Sequence, residues 1–475
     1  MKAITHHELK VNLDEIQEIT ELCINQNINQ HASCYIKGVL SEESKEKLVT
    51  DNLENREIEV YAELKGKEIL FKGLIQHSCI HEMGNYYEVE IQSLSYSIQT
   101  DIKRKSKSYQ DCSEKYEDII RKIVRAYFSG DIKDFASNHT PIGQLIVQYE
   151  ETDWEFLLRL ASHFNMGIVP NVTLKGPKII FGTTKGVERG EIKSNEYSVT
   201  KDILQYKLES ENENPQLKES DVLTYEIDIL ENYEIGDTAQ YLGKQVVVKA
   251  KKAILVHDML HFHYCLSSDK KLSVPKRYNS RIAGISLKGT VLKAVNDKVK
   301  VQLEIDESQE EGKAYLFPYT TNYTAEGNSG WYCMPESGDT VLVYFPSRDE
   351  SRAISINSYR TSNDGKINDP TVKYFRTANG KELKFSPEEI VITCVQGKDE
   401  RTGEEKTVLI RLNKDNGIEI VSTEPVSIIS EKSVTIEAED KVEISANDYI
   451  NLRCKKSQIR MDSKIDICGP DVRIN

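Results

Sequence analysis

The sequence predicts a mainly β, multidomain chain, and three observations predict it. Short alternating runs rich in Tyr, Thr, Val and Ile, cut by Gly, Asn and Asp, fill most of the first three quarters of the chain. At 475 residues and 54.2 kDa the chain is several times what one hydrophobic core serves, so about two to four domains are expected. Towards the C-terminus an apolar pair recurs every eight residues, a period that suits stacked strands and no closed single-chain core.

Composition narrows the function classes. Apolar residues make up 39% and charged residues 29%, which excludes a collagenous, low-complexity or disordered chain. The formal charge of −14 gives an acidic surface that repels phosphate backbones, so nucleic acid is not an expected partner. No window approaches the ~18 uninterrupted apolar residues of a membrane span. The first residues, Met1 to Glu8, lack the apolar core of a signal peptide. Nine scattered cysteines without a CxxC pair suggest neither a disulfide framework nor a zinc ribbon, and folding in a reducing cytosol is expected.

Residues 1–100 alternate in runs such as Ile58–Leu64 and Tyr86–Ile91, separated by Gly-containing turns, and read as a barrel or sandwich. Over 101–170 the period becomes helical. Ile119, Ile120, Ile123 and Val124 share one helical face. A second helix starts at a capping box, Thr152 as N-cap with Glu155 three residues on. Its apolar stripe is Phe156, Leu157, Leu160, Ala161 and Phe164, and Gly167 is expected to end it. Strand runs resume over 171–283, including Gln245–Ala250. Residues 284–362 carry five short strands, Gly289–Leu292, Val299–Leu303, Ala314–Phe317, Thr340–Phe345 and Ala353–Ile356, which suit a small Greek-key barrel, the OB type among the candidates. The span 363–415 opens on the polar turn-rich stretch Asn363–Pro370 and reads as a linker and the start of a last element.

That last element, 416–475, holds the strongest internal signal. Apolar pairs fall at Ile418/Ile420, Val426/Ile428, Val434/Ile436, Val442/Ile444 and Ile450/Leu452, then loosen to Ile459/Met461, Ile465/Ile467 and Val472/Ile474. Charged residues, Glu431, Lys432, Asp440 and Lys441, are expected at the corners. Single-chain β-helices use coils of roughly 18 to 25 residues to close three faces around a core. An eight-residue unit is too short for that, so three chains each supplying one face is the expected solution: a narrow trimeric intertwined β-helix, or needle.

Three stretches carry a family resemblance. Gln148-Tyr-Glu-Glu-Thr-Asp-Trp-Glu-Phe-Leu-Leu-Arg-Leu160 is similar to a "QYxETDWxFLxRL" signature, Ser329–Val343 to a "WxrxPxxGdeVlV" block, and the octads to an intertwined spike. In this order they resemble the VgrG-type hub–spike proteins of contractile injection systems: phage tails, R-type bacteriocins, type VI secretion and extracellular injection particles. The resemblance implies two hub β-barrel domains, an OB-fold and a spike, trimerised into a pseudo-sixfold ring seated on a hexameric tail tube. It implies a homotrimer with tail tube and baseplate proteins as partners, and a target membrane on firing. Only about 55 residues separate Tyr359 from Ile418, too few for the lysozyme domain some relatives carry. The sequence ends one residue past its last apolar pair, and no histidine follows His263 to build an iron-binding tip; a separate PAAR-like tip protein or effector is therefore expected. An assembled tail or injection particle, built in the cytoplasm and released by lysis or delivered on contraction, is the implied location.

Candidate sites weigh towards structure. His77, Cys79 and His81 alternate on one strand face, and His257, His261 and His263 form a similar group, but side chains two apart on a strand converge poorly on a tetrahedral ion. There is no Gly-x-Ser-x-Gly, His-Glu-x-x-His or P-loop, so no catalytic, cofactor-binding or metal residue is assigned. Trp154, Phe156 and Leu160 read as helix core, and Trp331 as a packing or inter-subunit residue in an acidic surround. The competing readings are a spike-borne cell-wall hydrolase and an OB-fold nucleic-acid binder.

Overall fold

The computed structural model describes residues 3–182, 186–194, 196–212, 218–268, 272–325, 329–358, 369–398, 403, 405–462, 464–468 and 471. The chain forms two units, Met1–Thr361 and Ser362–Asn475. It is mainly β and multidomain. No helix among the described residues is long and apolar enough to cross a membrane.

In the first unit the two expected barrel regions share one continuous sheet. Its order runs Leu9–Val11, Glu57–Glu63, Lys67–Glu82, Tyr87–Ser95, Ser33–Leu40, Ile16–Asn27, then Lys244–Val256, Met259–Ser267, Leu223–Ile229 and Tyr197–Lys201. The two halves meet where Ile16–Asn27 pairs antiparallel with Lys244–Val256, in register from Ala250↔Asn27 to Ile254↔Cys23. One apolar core runs under both halves, with Leu22, Ile36, Phe71, Phe262 and Tyr264 among its fully buried members. Strict alternation along Ser33–Leu40 sends one face into that core and leaves the other polar. Helix α1 (Glu42–Thr50) interrupts the strands; Ser41 Oγ accepts the Ser44 amide at 3.1 Å, a cap followed by two glutamates that periodicity alone passes over.

Residues 101–170 form a mixed module rather than a purely helical one. Helix α2 (Tyr116–Arg125) buries Ile119, Ile120, Ile123 and Val124, as its period requires. Helix α3 (Asp153–Ser162) begins at the expected box: Thr152 Oγ1 accepts the Glu155 amide at 3.1 Å and the Glu155 carboxylate accepts the Thr152 amide at 3.0 Å. It ends earlier than Gly167. Asn165 takes the left-handed conformation (φ 54°) that turns the chain, and Gly167 has another task. A Cβ there would sit 2.7 Å from the Asn29 side-chain oxygen, so the glycine lets the Asn29 hairpin pack against the chain leaving α3. Around the helices lie the strands Arg104–Tyr109 and Ile146–Thr152, paired antiparallel, and Asp131–Asp134, Lys178–Phe181 and Ile168–Pro170. Helix α4 (Ile203–Asn212) lies outside every sequence expectation.

Five strands, Ser286–Val295, Lys298–Leu303, Leu316–Pro318, Thr340–Tyr344 and Ile354–Ser358, form the next module. In sequence order they lie 3-2-1-4-5, and a parallel bridge, Tyr319↔Ser355, joins the two outer strands. The five strands are antiparallel neighbours, and that bridge brings the two ends of the sheet together. Its core, Val299, Val301, Leu303, Phe317, Val341 and Phe345, also takes in Leu145 and Val147 from the preceding module.

The second unit opens with a five-stranded antiparallel meander, Lys373–Arg376, Glu382–Phe385, Glu389–Lys398, Glu405–Asn413 and Gly417–Ser422. The expected linker residues 363–368 lie outside the described residues; the rest of that span holds more regular structure than its polar opening suggests. Residues 423–449 are extended, with bends at 423–424, 431–432, 439–440 and 447–448, six straight residues and two bent ones per repeat. Glu431, Lys432 and Asp440 sit at the bends, while Lys441 begins the next straight run. Ile418/Ile420 belongs to the meander, and Ile450/Leu452, Ile459/Met461 and Ile465/Ile467 to a closing antiparallel meander, Ile450–Cys454, Ser457–Met461 and Ile465–Cys468. Val472/Ile474 lies outside the described residues.

Candidate functional site

The signature segment 148–160 is where the first unit concentrates buried charge. Arg159, 2% exposed, donates from Nε and Nη2 to the two Glu151 carboxylate oxygens (2.9 and 2.7 Å), from Nη2 also to the Val147 carbonyl (2.8 Å), and from Nη1 to Glu350 (2.6 Å). Helix α3, the strand before it and the five-stranded module are thereby joined through one guanidinium. Burial pushes the Glu151 carboxyl above its ordinary range even though Arg159 draws it down. Gln148 donates to the Glu151 carbonyl and to Asp153, and Asp153 also accepts from Lys105 (2.6 Å) and Tyr127 (2.7 Å). Glu155 is held below its usual range chiefly by Arg281. Gln148, Glu151, Thr152, Asp153, Glu155 and Arg159 all have structural partners, and Trp154, Phe156 and Leu160 are core.

Trp154 packs against His31, ring centroids 4.1 Å apart. The His31 ring bonds Ser97 Oγ at 2.7 Å and Asp101 at 3.2 Å, an Asp–His–Ser alignment that sequence reasoning does not find. Ser97 is 2% exposed and its hydroxyl is shared with Ser95, so the alignment is buried. Burial raises the Asp101 carboxyl, but bonds from His31 and Thr152 outweigh it and hold it low. Beside the clamp, burial pushes His163 down to about 3 and Tyr116, whose hydroxyl it meets at 2.8 Å, up to about 12.

The two histidine groups come apart. His81 reaches the Glu90 carboxylate at 3.6 Å, while Cys79 lies opposite Glu90 in the ladder and His77 stands at a bulge. His257 and Asp258, both at positive φ, make the two-residue turn of a hairpin. His261 and His263, further along the strand, each approach one oxygen of Asp228, at 2.9 and 3.1 Å. Among the described residues no group of three or more His, Cys, Asp and Glu is placed to hold a metal ion. A cleft of about 690 Å³ lies between the strand Arg104–Tyr109 and the five-stranded module, walled by both signs of charge: Lys107, Lys122 and Lys313 against Asp111, Glu114 and Asp306. Asp306 is tied to the Ser108 amide (2.8 Å), which closes that wall.

The second unit presents the opposite surface. Phe375, Leu383, Ile392, Ile410 and Ile420 lie directly opposite one another across five successive strands, and Phe385, Ile390, Leu412 and Ile418 form the next rung of the same face. The other face is charged, with Arg411 bonded to Glu419 at 2.7 Å. An amphipathic meander of this kind needs a cover on its apolar side. In the octads Ile428, Ile436 and Ile444 are 74, 70 and 66% exposed. Among the described residues, 424–449 belong to no named strand and make no backbone–backbone hydrogen bond.

Comparison with known proteins gives a consistent fold. The family described as Alg8 N-terminal domain matches residues 3–191, less than half of the chain. No curated protein matches. Among solved structures, the E. coli c3393 protein, described as a component of the type VI secretion system with structural similarity to the T4 bacteriophage tail proteins gp27 and gp5, aligns with a TM-score of 0.52 at 12% identity, over 74% of this chain and 100% of that one. A chain of the Francisella PdpA–VgrG complex in its lidded form aligns with a TM-score of 0.53 at 10% identity, covering 85% and 76%. The half-lidded form gives 0.51 at 10%, covering 85% and 83%. At these identities the likeness is one of fold, and at that level the resemblance to VgrG-type hub–spike proteins holds.

Proposed function

We propose that this chain is the hub and spike subunit at the tip of a contractile tail tube, a homotrimer that adapts a sixfold tube to a threefold needle. The observation that carries the reading is the second unit's paradox: apolar octad residues in solvent, on extended backbone that among the described residues makes no backbone–backbone hydrogen bond over 424–449. Neither is stable alone, because an unpaired backbone gains nothing for the entropy lost on straightening and the apolar pairs stay wet. Three copies winding together supply both the missing ladders and the missing core, and leave no open strand edge. The function is mechanical: the needle stays folded under load and pierces a target membrane, with tube and baseplate proteins at the hub and a separate PAAR-like tip protein or effector beyond the last repeat. No chemical turnover is part of it.

Light scattering of the full-length protein tests this. A trimer, three times 54.2 kDa, is expected, and deletion of residues 416–475 should weaken it. A stable monomer at micromolar concentration overturns the reading. A purified trimer that clears peptidoglycan would instead favour the spike-borne hydrolase.

A further inference from the structure

We propose that the cleft between the strand Arg104–Tyr109 and the five-stranded module binds a short zwitterionic peptide, with Glu114 facing its ammonium and Lys107 and Lys122 its carboxylate. The cleft is built by one chain within the first unit, and none of these residues belongs to the octads or the meander on which the trimeric reading rests.

The floor of the cleft is saturated. Gln110, 3% exposed, donates to Ser108 Oγ and to the Val301 carbonyl at 3.1 Å each and accepts the Tyr315 amide at 3.1 Å. Asp306 accepts the Ser108 amide and hydroxyl, Asp111 accepts the Ser113 amide at 2.9 Å, and Lys313 is paired with Glu310 at 2.9 Å. The strand and the segment 305–313 are thereby fixed around a space of about 690 Å³, inside the roughly 300 to 1,000 Å³ of ligand sites.

Three charges lining this space are left over. Among the described residues the Glu114 carboxylate receives no hydrogen bond and enters no ion pair, Lys122 does neither, and Lys107 only stands over the Tyr109 ring at 5.7 Å. Burial raises the Glu114 carboxyl above its ordinary range, and Lys122 and Lys107 lower it only through space. A half-buried carboxylate without a donor is costly, and these cations do not come close enough to supply one. Opposite charges held apart across a cleft match a ligand that carries both.

The occupant follows from this charge pattern and from the neutral groups beside it. Ser308 and Gln309 bring a hydroxyl and an amide into the same space, donors and acceptors that suit peptide N–H and C=O groups. An ammonium supplies the donors that Glu114 lacks, and a carboxylate accepts from Lys107 and Lys122. An anion alone leaves Glu114 unmatched and is repelled by it, so a phosphate or a nucleic-acid strand fits less well than a dipolar peptide.

Calorimetric titration of the full chain with trialanine, whose termini are both free, tests this. Binding is expected, and N-acetylation or C-terminal amidation of the peptide should each weaken it by about tenfold. Against Glu114→Gln the acetylated and free peptides should bind alike, and Lys122→Met should shrink the effect of amidation. Such coupling marks direct contact and is not produced by a merely structural change. Both variants remove an unpaired charge, so their thermal stability should match wild type. Acetyl-Lys-Ala-Glu-amide carries the same two charges on side chains and separates the sources: tighter binding than trialanine assigns the site to a segment of a partner protein, weaker binding to free peptides. Failure of both peptides to bind at millimolar concentration, equal binding of the blocked and free forms of trialanine, or acetate binding as tightly as trialanine overturns the inference and leaves the assembly reading standing.

Discussion

The segment 148–160 and the octads 423–449 solve opposite problems. In the first, Gln148, Glu151, Thr152, Asp153 and Arg159 are buried and have found partners inside the chain: Arg159 alone satisfies two carboxylates and a carbonyl. In the second, every apolar pair is exposed and, among the described residues, 424–449 make no backbone–backbone hydrogen bond. The first segment is finished by its own chain; in the proposed function other chains finish the second. A family-like stretch of conspicuous polar letters forms a clamp between elements, and the monotonous apolar repeat is the surface to which the proposed assembly assigns its core.

The largest break in this contrast comes from charging the repeat. In the proposed trimer Val434→Asp places three carboxylates at one level of the axis, each costing several kcal/mol after relaxation, and should abolish or fray the needle, read as loss of trimer by light scattering. Next, Arg159→Met leaves Glu151 and Glu350 buried without their cation. Removing one partner of a buried pair costs about 3 to 5 kcal/mol, so the first unit should melt early while the second, a separate unit, holds its own transition in calorimetry. Glu151 already has a raised carboxyl, so its proton is favoured in the folded state; the variant's deficit should shrink as pH falls into the carboxylate range.

A smaller effect sharpens the first unit's side. Burial pushes the Glu15 carboxyl up, but bonds from Lys47 and Arg56 outweigh it and hold it at about 2 against an ordinary 4.5. A depressed carboxylate stabilises above the unfolded value, and that contribution is lost as pH falls from 4.5 towards 2. Glu15→Gln should therefore flatten the acid side of the melting curve of the first unit. The smallest change is Thr435→Asp, one residue from Val434. An outward position should shift stability by no more than about 0.5 kcal/mol. If thermal unfolding ranks Thr435→Asp as severe as Val434→Asp, the octad register is wrong.

Local signals were legible because they are enforced by near neighbours. Thr152 and Glu155 cap a helix within one turn; Ile119, Ile120, Ile123 and Val124 face inward by period alone; the five barrel strands fall within a few residues of their expected places. The octad bends recur at the spacing the apolar pairs announce. Signals that depend on distant partners were not legible. Glu350 meets Arg159 across 191 residues, Asp228 meets His261 across 33, and Asn29 dictates Gly167 from another hairpin.

What the amino-acid order settled alone was therefore period and punctuation: which residues alternate, where helices start, and that the last sixty residues cannot close a core by themselves. These are consequences of backbone geometry and of two apolar side chains per octad, and need no fold to be stated. The tertiary structure decided that Ile16–Asn27 pairs with Lys244–Val256 and makes two barrel regions one sheet. It also decided that Leu145 and Val147 enter the next module's core, and that nine apolar side chains of the meander line up on one open face. Strand edges and core volumes accept many sequences, so which edge meets which is chosen by the summed burial of residues far apart, and no local pattern records that sum.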